Sequence, residues 1–176
     1  MPDILVVSDA PSVIADVRSA LEDDDTLVRE LHAGELVRTA VDEQPPDLVV
    51  TDMQVGSMGG IAICMDLRLE ESGGRLPHVP VLILMDRRAD VFLARRSDAE
   101  GWIVKPFDSL RLRRAARTLL DGGTYYDESY RPLPLPGEQR HSAELRRSGE
   151  LRASGGVQAS SDVQASGEVR SAAEAR

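Results

Sequence analysis

The sequence predicts an α/β fold in which a parallel five-stranded sheet is wound on both faces by helices. Three observations lead there. Four short apolar runs, each closed by polar or turn residues, read as strands buried on both faces. Helical patterns separate them, with apolar residues gathered on one side. The connections are short, so successive strands are joined by right-handed crossovers, with helices on both faces of the sheet.

Taken in order, "DILVVSD" is the first strand and "PSVIADVRSALE" the first helix. Val13, Ile14, Val17 and Leu21 fall on one face of that helix, and Pro11 suits its first turn, where no N–H is needed. "TLVREL" is shorter and more polar, as an edge strand should be. "GELVRTAVDEQ" is the second helix, "DLVVTD" the third strand and "GGIAICMDLRLEE" the third helix. "VPVLILMD", "ADVFLARRSD", "GWIVKPF" and "DSLRLRRAARTLL" complete the alternation.

In such a sheet, ligands bind beyond the carboxyl ends of the strands, where the strand order reverses. The first strand ends on Ser8 and Asp9, the third on Asp52 and the fourth on Met85 and Asp86, while the fifth runs into Lys105 and Pro106. Carboxylates and one ammonium are thus gathered at one edge of an otherwise apolar sheet.

Composition limits the alternatives. With 176 residues and 41% apolar content, the chain can bury one core of ordinary size with some length left over. Cys64 is the only cysteine, which excludes a disulfide framework or a cysteine zinc site and leaves a small packed residue. The longest apolar run, "VPVLILM", is too short for a membrane span or a signal peptide, so a soluble cytoplasmic protein is expected. A net charge of −9 argues against general nucleic-acid binding. The charge is uneven: residues 1–85 hold 5 Arg against 16 acids, whereas residues 86–117 hold 8 Arg and 1 Lys against 5 acids.

Residues 3 to about 121 resemble the receiver domain of bacterial response regulators. The resemblance rests on the acid after the first strand in "ILVVSD", on "DLVVTDMQVGSMGG", on "PVLIL" and on "VKPF", in that order and at compatible spacing. It implies a flavodoxin-like (βα)5 sheet of order 2-1-3-4-5. It also implies that Asp52 accepts a phosphoryl group from a sensor histidine kinase or phosphotransfer protein. Asp9, Asp52 and the main-chain carbonyl of Gln54 would hold Mg²⁺, and Lys105 would neutralise the phosphoryl oxygens. Lys105 is the only lysine beside twenty arginines, so a compact ammonium has been kept at the position the resemblance requires. Trp102 stands where the family often carries an aromatic residue that reorients on activation.

Three positions depart from that pattern. Ser8 replaces the first of two adjacent acids, which predicts weaker metal binding. Met85 replaces a Ser or Thr whose hydroxyl would donate to the phosphoryl group, and a thioether has no proton to give. Asp86 replaces a small residue, so its carboxylate must turn away from a phosphoryl dianion or join the cation shell. Gly56, Gly59 and Gly60 stand where the family commonly has Pro and then an acid–Gly pair, so a mobile loop is expected. These departures leave a second reading open, a receiver-like binding module that works without phosphorylation. An enzyme reading is disfavoured, because "SDAPS" lacks a glycine-rich phosphate cradle and no separate acid or base is placed near Asp52.

The domain division expected is 1–122 for the receiver-like domain, 123–143 for a Pro-containing linker and 144–176 for a low-complexity tail. The tail repeats with a period of six ("ELRRSG", "ELRASG", "GVQASS", "DVQASG", "EVRSAA"), which cannot align its aliphatic residues on one helix face, so disorder is the expected state. No helix-turn-helix or zinc module is recognisable, so direct DNA binding is not expected. Output is expected through the face from the fourth to the fifth helix, where Arg95, Arg96, Arg111, Arg113, Arg114 and Arg117 would meet an acidic partner or a second copy.

Overall fold

The computed structural model describes residues 1–128. Its strands are β1 (Asp3–Val7), β2 (Leu27–Leu31), β3 (Leu48–Asp52), β4 (Val81–Met85), β5 (Gly101–Val104) and β6 (Tyr125–Tyr126). They form one sheet of order β2-β1-β3-β4-β5-β6, with every neighbouring pair parallel. The helices are α1 (Pro11–Leu21), α2 (Val37–Glu43), α3 (Gly60–Ser72), α4 (Val91–Arg96) and α5 (Ser109–Leu120). Short 3₁₀ turns at Gly34–Leu36 and Arg88–Asp90 take up the start of the second and fourth helical patterns.

The period-two alternation of strand side chains sorts the core into two layers. Leu5, Val7, Val49, Val81, Ile83, Met85, Trp102 and Val104 pack with Val37 and Val41 of α2, Ile63, Cys64 and Leu67 of α3, and Val91 and Ala94 of α4. Ile4, Val6, Leu48, Val50, Leu82, Leu84 and Ile103 pack with Ile14 and Val17 of α1 and Leu112, Ala115, Ala116 and Leu119 of α5. Both faces of the central strands are therefore buried, which is why their sequences are almost continuously apolar. Cys64 sits in the first layer, donates to Ser97 O at 3.1 Å, and has its thiol pushed up to about 11 by burial.

The five-stranded expectation is corrected by β6. The sequence reading ended the sheet at "GWIVKPF" and gave Tyr125 and Tyr126 to the linker, but the chain turns back after α5 and pairs Gly101 with Tyr125 and Trp102 with Tyr126. Two residues are too few to show a strand pattern, and β5 offers an edge whose N–H and C=O groups need partners. The rest of the proline-containing segment and the hexapeptide repeats lie outside the described residues.

Candidate functional site

The register brings the candidate residues level. Val7 lies opposite Thr51, Asp52 opposite Leu84 and Met85 opposite Val104. Beyond the strand ends, Met53 N–H donates to Leu84 O and Lys105 N–H to Met85 O, each at 2.8 Å, so the ladder continues one residue into the loops. Asp9, Asp52, Gln54, Asp86 and Lys105 thereby line one cleft of about 510 Å³.

Asp52 is 3% exposed, and both its carboxylate oxygens are engaged. The Lys105 ammonium donates to Oδ1 at 2.7 Å, and Ser8 Oγ donates to Oδ2 at 3.3 Å while accepting from Ala10 N–H. Lys105 Nζ also donates to Asp86 Oδ1 at 3.1 Å. The carboxylate left open by the sequence reading therefore neither turns away nor leaves Lys105 to Asp52 alone. Burial disfavours the charge on Lys105, but its bonds to Asp52 and Asp86 outweigh burial and hold its pKa above the ordinary lysine value. Across the cleft, Asp9 Oδ2 accepts from Gly56 N–H at 2.9 Å, which draws the loop after β3 toward the end of β1.

Among the described residues no group of three or more His, Cys, Asp or Glu side chains is arranged to hold a metal. A Mg²⁺ ion needs fewer, because it keeps several waters and takes one or two carboxylates. Asp9, Asp52 and Gln54 all line the cleft and bring only oxygen ligands, two carboxylates and an amide residue, a set whose chemistry fits Mg²⁺ and not a fully protein-ligated ion such as structural zinc.

Met85 is fully buried in the layer that contains Val55, Val91, Trp102 and Val104, so the position carries a packed thioether and no donor. Trp102, 3% exposed, stacks on Tyr126 with ring centroids 4.2 Å apart, and the Arg95 guanidinium lies 5.8 Å from its ring centre. The six arginines do not share one face. Arg95 lies against Trp102, Arg96 over Phe92, and Arg111 pairs with Asp127, whereas Arg113 reaches the other way to Ala20 O at the end of α1. Arg114 and Arg117 are exposed on α5.

The sequence reading missed Tyr126 and Asp127. Asp127 accepts from Val104 N–H at 3.0 Å and pairs with Arg111, so it belongs to the covering of β5. The signal that could have found them is the Gly122–Gly123 pair straight after an amphipathic helix, which marks a helix end built to reverse the chain.

The family described as "Response regulator receiver domain" matches residues 4–117. The DNA-binding response regulator MtrA of Mycolicibacterium smegmatis is 32% identical over 119 residues, covering 66% of this chain and 50% of that protein. MtrA of Mycobacterium tuberculosis H37Rv matches to the same extent, so the chain spans about half the length of these curated relatives. Among solved structures, a response regulator from Chloroflexus aurantiacus has a TM-score of 0.62 at 20% identity, covering 68% of this chain and 98% of that one. The signal receiver domain of a histidine kinase from Syntrophus aciditrophicus has a TM-score of 0.62 at 23% identity, covering 77% and 99%. At these identities the structural likeness is one of fold. With the strand order and the acidic cleft in place, the family match over residues 4–117 shows that the chain belongs to the response regulator receiver domains of two-component signalling.

Proposed function

We propose that Asp52 accepts a phosphoryl group from a phosphohistidine of a sensor kinase or phosphotransfer protein, and that the phosphorylated chain signals in the cytoplasm by protein contacts. The observation that supports this most directly is the Lys105 ammonium 2.7 Å from Asp52 Oδ1 at the wall of an open cleft. In the transfer, an Asp52 oxygen forms the new bond to phosphorus, the phosphorus–nitrogen bond of the donor breaks, and its electron pair returns to the imidazole. Lys105 holds positive charge against the transferring oxygens, and Asp9, Asp52 and the Gln54 carbonyl hold the cation site. Receiver domains generally bind Mg²⁺ at this acidic pocket, where it offsets phosphoryl charge when bound. Output through the α4 to α5 side, to a protein partner or a second copy, is favoured over direct DNA contact. The cationic surplus of residues 86–117 on a chain of net charge −9 supports an acidic protein surface as the partner on this side.

The test is fluorine NMR with beryllium fluoride and Mg²⁺, which together mimic a phosphoryl group on an aspartate. A bound fluoride signal in the wild type that is lost in a folded Asp52→Asn variant is expected. Its absence from the folded wild type would sink the proposal.

Met85 and Asp86 favour a second reading, a binding module indifferent to phosphate: one removes the hydroxyl donor and the other occupies Lys105. That reading predicts unchanged amide exchange in α4 and β5 when beryllium fluoride is bound.

A further inference from the structure

Residues 124–127 close the edge of the sheet at β5, and the local chemistry is built to bring them there. Gly122 N–H donates to Leu119 O and Gly123 N–H to Thr118 O, the paired bonds that end a helix through a left-handed residue. Gly122 has a φ of +78°, which glycine adopts without strain. On the receiving strand, a Cβ at Gly101 would lie 2.9 Å from Tyr125 O, so glycine permits the close approach.

Once across, the segment is held through Tyr125, Tyr126 and Asp127. Tyr125 N–H donates to Glu100 O at 2.9 Å, and Asp127 N–H to Trp102 O at 3.1 Å. The Asp127 carboxylate, 4% exposed, takes the Val104 N–H and the Arg111 guanidinium. The Tyr126 ring lies on Trp102 at an interplanar angle of 21°. The cover is imperfect in one respect: Trp102 Nε1 is buried with no hydrogen-bond partner among the described residues, a cost that the covered state carries.

We propose that the β5 edge is a strand-docking surface whose resident occupant is this chain's own Thr124–Asp127, so that Trp102 and the β5 backbone are masked until that segment is displaced. The surface takes a parallel strand that presents an aromatic ring followed by a carboxylate. The resident strand has the advantage of attachment, since it follows α5 by a single glycine turn and docks without loss of translational freedom. The inference stands whether or not Asp52 accepts phosphoryl. It adds a condition to output on this side: a partner must displace β6 or bind over it.

Trp102 is the only tryptophan, so acrylamide quenching of the full chain's fluorescence reads its cover directly. Blue-shifted emission and weak quenching are expected in the wild type and in Tyr126→Phe. A severalfold rise in the quenching constant is expected in Tyr126→Ala and Asp127→Ala. Because the strand is proposed to act as a unit, Tyr126→Ala should also speed amide exchange at Val104, whose N–H is held by Asp127 and not by the ring. Tyr126 is 46% exposed, so its truncation spares the core even where loss of the Asp127 carboxylate unfolds the chain. The proposal is overturned by a wild-type Trp102 quenched like free indole. It is also overturned by a folded Tyr126→Ala protein in which quenching or Val104 exchange stays at the wild-type level.

Discussion

Replacing Asp86 with alanine should strengthen binding of a phosphoryl mimic, and the structure sets the size of the effect. The distances from Lys105 Nζ to Asp52 Oδ1, 2.7 Å, and to Asp86 Oδ1, 3.1 Å, together cap the separation of the two carboxylate oxygens at 5.8 Å. A negative group added on Asp52 therefore meets the Asp86 charge at close range. At an effective dielectric of about 20, two unit charges roughly 6 Å apart repel by about 3 kcal/mol. The Asp86 side chain is 32% exposed at the cleft mouth, and water and salt reduce this to about 1 kcal/mol. Removal of Asp86 also releases Lys105 from a competing acceptor, which acts in the same direction. Beryllium fluoride should bind Asp86→Ala about fivefold more tightly than the wild type, by the usual conversion of about 1.4 kcal/mol per decade. The assay is a fluoride titration at fixed beryllium and Mg²⁺, read by the bound fluorine signal. Equal or weaker binding by a folded Asp86→Ala protein would refute the reasoning, because it would mean that Asp86 supports the acceptor site.

Two further outcomes follow from the same geometry. Lys105→Met leaves the buried Asp52 carboxylate with only Ser8 and should lower stability by about 1–3 kcal/mol, below the full value for a wholly buried pair because Lys105 is partly exposed. Since Lys105 is raised above the ordinary lysine value, its contribution is complete below about pH 10 and is lost as pH rises through the folded value. The stability gap between wild type and Lys105→Met should thus be flat from neutral to mildly alkaline pH and close only above that, as thermal melts across pH will show. Met85→Thr exchanges a fully buried thioether for a smaller side chain with a hydroxyl, and should lower the urea midpoint by an amount equivalent to about 2–3 kcal/mol.

Most of the fold was legible because strands buried on both faces must be apolar almost throughout, and "DLVVTD" or "VPVLILMD" can hardly be anything else. The convergence of Asp9, Asp52 and Lys105 followed from topology alone, since parallel strands place all their carboxyl ends on one edge. β6 was not legible as a strand, because its two residues have no periodicity and are specified by what precedes them, the glycine turn. The direction of Asp86 was hidden for a different reason: a side chain at a strand end is oriented by the partner it finds, here Lys105, 19 residues away. The six arginines do not form the single face that their clustering in sequence suggests. Arg111 and Arg113 lie two positions apart on one helix, about 200° around its axis, so they point to opposite flanks.

The most direct test of the central claim is intact-mass analysis of the full chain after incubation with acetyl phosphate and Mg²⁺, followed by peptide mapping of any adduct. The account predicts a single added phosphoryl group that maps to Asp52 and is lost in Asp52→Asn. A folded wild-type chain that gains no mass, or that carries the group on another residue, would contradict it.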